Sequence, residues 1–320
     1  MSTSVNVLYN RIYAKIREAD NIFLVTHEKP DGDGLGSICA MMDLLIGLEK
    51  SFFAFCADKA PANFSFLSHV EKIETDKSKF NFSDYDLVIV FDCGDIRRTR
   101  LIDEIRNRRK NQFVINIDHH PKIDDWADLE IKNPQAASTT ELIFDFFKAN
   151  KIRINKNVAD SILTGISVDT GNFLFPATTD KTMQISSEML ERGAKLPRIM
   201  EKTWRNKSLS GLKAWGAAMA RLEINKEYNL AFTVLTLADA EGVSDEELEG
   251  MSNFLSNLQE VTGVLILFEK PGGLIKGSIR SAKADIAPLA IALGGGGHSK
   301  AAGFVIEGKL EDVNGQWRIV

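Results

Sequence analysis

The segment His27-Glu28-Lys29-Pro30-Asp31-Gly32-Asp33-Gly34-Leu35-Gly36-Ser37 sets one imidazole and two carboxylates among glycines, directly after the apolar run Asn21–Thr26. Three more groups of similar chemistry follow: Asp92-Cys93-Gly94-Asp95, Asp118-His119-His120-Pro121 and Ser167-Val168-Asp169-Thr170-Gly171-Asn172-Phe173. Asp and Gly are ordinary turn residues, and a single such group reads as a turn and helix cap. Histidines and aspartates gathered at successive strand ends are harder to explain that way. A calcium loop starting at Asp31 fails, because Leu35 stands where an oxygen ligand is needed and Met42 where the closing Glu belongs. Together His27, Asp31, Asp33, Asp92, His119 and Asp169 supply two imidazoles and four carboxylates, with no cysteine suitably grouped. Such donors suit Mn²⁺, Fe²⁺, Co²⁺ or Mg²⁺ rather than a thiolate-bound structural zinc. They exceed the needs of one ion and suit two, about 3.5–4 Å apart with a bridging carboxylate, the arrangement of in-line phosphoryl displacement.

A second candidate is the run Gly294-Gly295-Gly296-Gly297-His298-Ser299-Lys300-Ala301-Ala302-Gly303. A P-loop needs glycine where Ser299 stands, and a dinucleotide fingerprint needs a helix after a Rossmann strand. The plain alternative is a flexible loop. Glycines admit backbone N–H groups to an anion, and His298 and Lys300 stand beside them, so the reading preferred is a phosphate-binding loop. Residues 97–110 hold seven basic residues against Asp103 and Glu104. This reads as a solvated helix face, with Arg97 and Arg98 as outside candidates for reaching a substrate.

The elements that must position these groups follow from hydrophobic period. Residues 7–20 predict an amphipathic helix through Leu8, Ile12 and Ile16, and residues 35–48, 138–150, 158–168 and 181–193 continue helical patterns. Near-continuous apolar runs at 21–26, 52–57, 86–92 and 113–117 predict buried parallel strands covered on both faces, with polar clusters at their ends. Residues 194–213 read as a linker between a domain at 1–193 and a smaller α/β domain at 214–320, the latter with strands at 230–237, 264–268, 277–280 and 304–306 and a helix at 250–260. No internal repeat or low-complexity segment is expected.

Among 320 residues, 39 basic against 44 acidic side chains leave a net charge of −5. That balance argues against a protein tracking long duplex nucleic acid and for small or short nucleotides held by a few local cations. Hydrophobic residues at 44% and charged residues at 26% exclude a disordered or fibrous chain. No apolar run is long enough for a membrane span, and the first ten residues lack the pattern of a secretion signal. Three cysteines without paired spacing point to a reducing cytoplasm.

The order H-x-x-P-D-x-D-x-x-G-S, then Asp92, then Asp118-His119-His120, then the closing G-G-G-H-x-x-A-A-G, resembles the DHH phosphoesterase family from His27 to Gly303. The nearest branch in pattern is the oligoribonuclease (nanoRNase) and 3′-phosphoadenosine 5′-phosphate (pAp) phosphatase type. The resemblance implies an N-terminal domain with a parallel sheet, a smaller DHH-associated α/β domain, and an active site in the cleft between them. By the same resemblance His27, Asp31 and Asp92 hold one Mn²⁺, and Asp33, Asp92, His119 and Asp169 hold the other, with Asp92 bridging. A bridging hydroxide would be the nucleophile, with Mg²⁺ or Co²⁺ as alternative metals. His120 would contact the scissile phosphate, and Asp118 would orient a histidine. Arg280 and His298, with Gly296, Gly297 and Lys300, would grip the substrate's terminal phosphate or nucleotide. The implied activity is exonucleolytic hydrolysis of very short RNA to mononucleotides and removal of the 3′-phosphate from pAp. A homodimer is compatible with this, and no membrane is involved. Competing readings are a phosphodiesterase of linear or cyclic dinucleotides, an inorganic pyrophosphatase, and a non-catalytic binding module. Two departures stand out: Leu174-Phe175 where many relatives carry Arg-Tyr, and a tail, residues 311–320, expected to be short or loosely packed.

Overall fold

Strands rich in Ile, Val, Leu and Phe with no polar alternation have to be covered on both faces, and the first half of the chain does this. In the computed structural model, which describes residues 3–205, 207–248, 250–281 and 283–320 with the side chains of residues 3, 4, 245, 246 and 298 outside the description, the chain divides into two compact units, 1–205 and 206–320.

The first unit runs α1 (Thr3–Glu18), β1 (Asn21–Thr26), α2 (Gly32–Gly47), β2 (Ser51–Phe55), β3 (Ile73–Glu74), β4 (Leu87–Phe91), α3 (Ile102–Arg106), β5 (Phe113–Asp118), β6 (Leu129–Lys132), α4 (Thr139–Ala149), α5 (Lys156–Asp169), α6 (Asp180–Glu191) and α7 (Leu196–Thr203). Its six strands form one parallel sheet in the order β3-β2-β1-β4-β5-β6. The order reverses between β1 and β4, and the carboxyl ends of strands at such a switch point leave a crevice for ligands.

Alternation along β1 shows why both faces are dry. Ile22 and Leu24 pack with α1, α2, α4 and α5 in one core, through Ile12, Ile38, Phe146 and Ile162. Phe23 and Val25 enter the opposite core with Phe55, Val88, Val90, Ile96, Leu101 and Ile105. Each such fully buried side chain contributes roughly 1.5–3 kcal/mol relative to exposure. The sheet therefore owes its stability to apolar burial that does not involve the polar groups at its rim.

The second unit continues with α8 (Leu209–Ala220), β7 (Glu223–Asn225), β8 (Leu230–Leu235), α9 (Asp245–Leu248), α10 (Met251–Leu255), β9 (Gly263–Lys270), β10 (Leu274–Arg280), α11 (Ala287–Ala292), β11 (Gly296–His298), β12 (Ala301–Glu307), β13 (Leu310–Val313) and β14 (Gln316–Ile319). Its main sheet has the order β11-β12-β10-β9-β8-β7, antiparallel except between β8 and β9.

Several local readings shift. The span 194–213 holds α7 and the first turn of α8, and the units part between 205 and 206. The helix expected over 250–260 is confined to α10, which starts after Gly250 in the left-handed region at φ 84°. The tail forms a hairpin whose residues are mostly exposed. Asn314 (φ 56°) and Gly315 (φ 80°) make a two-residue Asn-Gly turn that pairs β13 with β14, with Val313 opposite Gln316. Leu310 is buried against Val234 and Ile275, and the Arg221 guanidinium lies 5.1 Å over the Trp317 ring. The Asn-Gly dipeptide was the available signal for this hairpin.

Candidate metal centre

The glycine-rich turn after β1 becomes the first turn of α2. Asp31 is its N-cap, and Oδ1 accepts from the backbone N–H of Asp33 at 3.0 Å and Gly34 at 3.1 Å. This fixes Asp31 and Asp33 on the same turn, with His27 at the end of the neighbouring strand. His27 Nε2 stands 3.7 Å from Asp31 Oδ1 and 3.5 Å from Asp92 Oδ2. The Glu28 carbonyl lies 2.7 Å from His27 Nδ1; a proton on Nδ1 donates there and turns the lone pair of Nε2 toward Asp31 and Asp92, where it could serve a metal.

Asp92 follows β4 in the left-handed region, at φ 53°. A non-glycine residue held there is uncommon and clusters at functional sites. It is the geometric middle of the cluster. Its Oδ1 lies 3.6 Å from His119 Nε2 and 3.4 Å from His120 Nδ1, while Oδ2 faces His27.

From β5 come Asp118, His119 and His120. His119 Nδ1 lies 3.3 Å from the Ala136 carbonyl, and Nε2 is 3.1 Å from Asp169 Oδ2 at the end of α5. Asp118 is fully buried: Oδ1 accepts from the N–H of His120 at 3.0 Å and from His120 Nδ1 at 2.8 Å, and the Lys132 ammonium lies 3.0 Å from Oδ2. Asp118 therefore orients His120 rather than His119.

Asp33 is also fully buried, and both its oxygens accept from the first amides of α4, Thr139 N at 2.6 Å and Thr140 N at 2.9 Å. A carboxylate at a helix N-terminus is favoured by the unpaired N–H groups and the helix dipole. Thr139 also donates its hydroxyl to Asp92 Oδ1 at 2.9 Å and accepts the His119 N–H at 3.3 Å. Thr139, Thr140 and Lys132 were not singled out from sequence. The one local signal was Ser138-Thr139-Thr140-Glu141, a cap pattern whose Ser138 hydroxyl accepts from Glu141 N.

His27, Asp31 and Asp92 bring ligand atoms within 4.8 Å of one another, as do Asp33, His119 and Asp169, and also Asp92, His119 and His120. Burial drives the Asp33 carboxyl well above its ordinary range, and the charges of Asp169 and Asp92 add to it. Asp169 is pushed up to about 6 by burial, which prevails over its bond to His119, and the charges of Asp31 and Asp92 add to it. Burial pushes the imidazoles down, but the bonds and charges of Asp31 and Asp92 hold His27 at about 10, and those of Asp169, Asp33 and Asp92 hold His119 at about 11. Four converging carboxylates, two of them reluctant to ionise, call for cations between them. The donors are oxygen and imidazole nitrogen. The thiols nearby are engaged elsewhere, Cys93 with the Asp95 carbonyl at 2.9 Å and Cys56 with that of His27 at 3.2 Å. The set fits hard or borderline divalent ions.

The remaining candidates lie in the second unit. Arg280 ends β10, with Nε donating to Asn253 Oδ1 at 2.7 Å and Nη1 to the Ile279 carbonyl at 2.9 Å, and burial lowers its pKa. The glycine run is a helix end and a hairpin. Gly294 (φ 77°) caps α11, its N–H donating to Ile291 and that of Gly295 to Ala290. Gly296 and Gly297 pair with Gly303 and Ala302, and Ser299-Lys300 forms the turn into β12. A Cβ on Gly297 would meet the Ala301 carbonyl at 2.5 Å. Lys300 is exposed, with Nζ 3.4 Å from the Ala284 carbonyl. The His298 side chain lies outside the described residues.

Residues 21–166 match the DHH family, N-terminal domain, and residues 228–315 match the DHHA1 domain. A Streptococcus mutans protein named as a probable bifunctional oligoribonuclease and PAP phosphatase NrnA is 31% identical over 302 residues, 92% of each chain. A Bacillus subtilis protein named as a bifunctional oligoribonuclease and PAP phosphatase NrnA is 26% identical over 90% of each chain. Among solved structures, an exopolyphosphatase-related protein from Bacteroides fragilis superposes with a TM-score of 0.85 at 25% identity, covering 93% of this chain and 90% of the other. Since both matched domains occur in order and the likeness runs along nearly the whole of each relative, the chain belongs to the DHH family of phosphoesterases.

Proposed function

We propose that this phosphoesterase hydrolyses very short RNA to mononucleotides from one end and removes the 3′-phosphate from pAp, using two divalent ions, Mn²⁺ first, in the cytoplasm. The observation that carries the reading is Asp92, placed between His27 and His119 at 3.5 and 3.6 Å with one carboxylate oxygen toward each. His27, Asp31 and Asp92 would hold one ion, and Asp33, Asp92, His119 and Asp169 the other. Bound divalent ions supply Lewis acidity toward the phosphoryl group and acidify water.

The protein's own groups do the rest. Thr139, bonded to both Asp33 and Asp92, keeps the two carboxylates at fixed separation. Asp118 holds His120 through Nδ1, and Nε2 would meet the scissile phosphate and pass a proton to the leaving oxygen. Arg280, His298, Lys300 and the backbone at Gly296 and Gly297 would grip the far end of the nucleotide, which favours short substrates. The names of the Streptococcus mutans and Bacillus subtilis relatives support this substrate class.

A panel in Mn²⁺ tests it: dinucleotide RNA, longer RNA, pAp, a cyclic dinucleotide and pyrophosphate. Dinucleotide RNA and pAp should turn over fastest. Faster turnover of the cyclic dinucleotide or of pyrophosphate would overturn the assignment.

A further inference from the structure

The basic run at 97–110 is not uniform. Arg97 pairs with Asp95, Arg100 with Glu28, Arg106 with Asp124 and Arg108 with Asp128. Arg98 is half-buried beside the centre, and no carboxylate among the described residues lies within ion-pair distance of it. Its Nη2 rests 2.8 Å from His27 Nδ1 instead. Asp95 feels its charge only from beyond ion-pair distance; a half-buried guanidinium without a directly bonded carboxylate is unfavourable, and a ring nitrogen replaces a carboxylate poorly.

His27 does not need this contact to keep its orientation. The Glu28 carbonyl lies 2.7 Å from the same Nδ1, and that nitrogen serves one of the two partners at a time. The backbone around Arg98 is fixed independently: Glu28 N donates to the Arg98 carbonyl at 2.6 Å, and Arg100 Nε bonds the Glu28 carboxylate at 2.6 Å. The result is a cation on a pinned segment, at the wall of a centre built from four carboxylates. An anionic substrate entering there needs fixed positive charge, and a guanidinium can give two parallel bonds to phosphoryl oxygens.

We propose that Arg98 binds the phosphoryl group of the substrate, and that its contact with His27 is the resting position of a side chain kept for that anion. The inference rests on the phosphoesterase centre described above and adds a phosphate ligand from the same unit as that centre, separate from Arg280 and His298.

Arg98→Ala and Arg98→Lys test it by calorimetry with Mn²⁺, then with inorganic phosphate on the Mn²⁺-loaded protein, alongside kinetics on pAp and dinucleotide RNA. Mn²⁺ affinity should stay within about threefold of wild type, while phosphate affinity falls about tenfold or more for Ala and less for Lys. KM for both nucleotides should rise with a smaller change in kcat. Unchanged phosphate binding overturns the proposal. So does Mn²⁺ affinity falling with it, which would make Arg98 a support for His27. Should Arg98→Ala fail to fold, Arg98→Lys decides by the same two titrations. Wild-type protein inactive on both nucleotides would sink the substrate reading, and phosphate calorimetry would still decide the role of Arg98.

Discussion

Asp92 concentrates the chemistry of the centre in one side chain. It sits at φ 53°, faces three imidazoles and accepts the Thr139 hydroxyl. Asp92→Asn keeps a residue that tolerates the left-handed backbone while removing the charge. Turnover on every substrate should fall by at least about tenfold in saturating Mn²⁺, because a bridging ligand serves both ions. Activity above a tenth of wild type would remove Asp92 from the bridging position. Protons report on the same cluster. With His27 held at about 10 and His119 at about 11 against an ordinary 6.5, the metal-free fold gains stability from their protonation. That gain is complete below pH 6.5 and is lost as pH rises through 10 to 11. Asp169 acts in the same direction: its pKa is also raised, so its ionisation costs the fold stability, from above pH 3.8 to full effect above about 6. Cations must displace the imidazole protons, so binding releases protons and tightens with pH. The rise in Tm that Mn²⁺ produces over chelator-treated protein should grow from pH 6 to pH 9. A constant or shrinking rise would mean the imidazoles are not ligands.

Two helices meet closely enough to shape the centre. A Cβ on Gly36 of α2 would lie 2.5 Å from the Ser161 carbonyl of α5, and one on Gly165 of α5 would lie 2.3 Å from Thr140 Oγ1 and 2.4 Å from Asp33 Oδ1. Gly165 therefore leaves space in which Asp33 turns both oxygens to the amides of α4. Gly165→Ala should cost about 1–3 kcal/mol in chemical denaturation, as overpacking of a dense interior does. It should also weaken Mn²⁺ binding, since Asp33 has to move. Wild-type metal affinity in that variant would separate helix packing from the centre.

On the scale of the whole molecule, the sheet and its centre are energetically distinct. The cores on either side of β1 are closed by aliphatic and aromatic side chains, and the candidate metal ligands stand just past β1, β4 and β5, on the first turn of α2 and at the end of α5. Chelation should abolish hydrolysis and leave the far-UV circular dichroism unchanged. Loss of helical signal on chelation would make the ions structural, as in small domains that fold only around a metal. No described helix is long and apolar enough to cross a membrane.

What the sequence determined by itself was local. Apolar runs with no alternation imply buried parallel strands, and Asp or His immediately after such a run lies at a strand end whatever the topology. That reasoning reached His27, Asp31, Asp33, Asp92, Asp118, His119 and His120, while Asp169 was singled out at the end of an apolar helical run before a turn. Tertiary structure alone decided which strand ends are neighbours: the order β3-β2-β1-β4-β5-β6 sets β1 beside β4, so residues 27 and 92 meet across the switch point. It also decided the partners of those groups. Thr139 touches Asp33 and Asp92 from far along the chain, Lys132 charges the surroundings of Asp118, and Arg98, one cation among seven, turns to His27 while four of its neighbours turn to carboxylates. Such contacts depend on how helices pack over a sheet, and the period of a sequence records which face is buried, not which side chain waits on the other side.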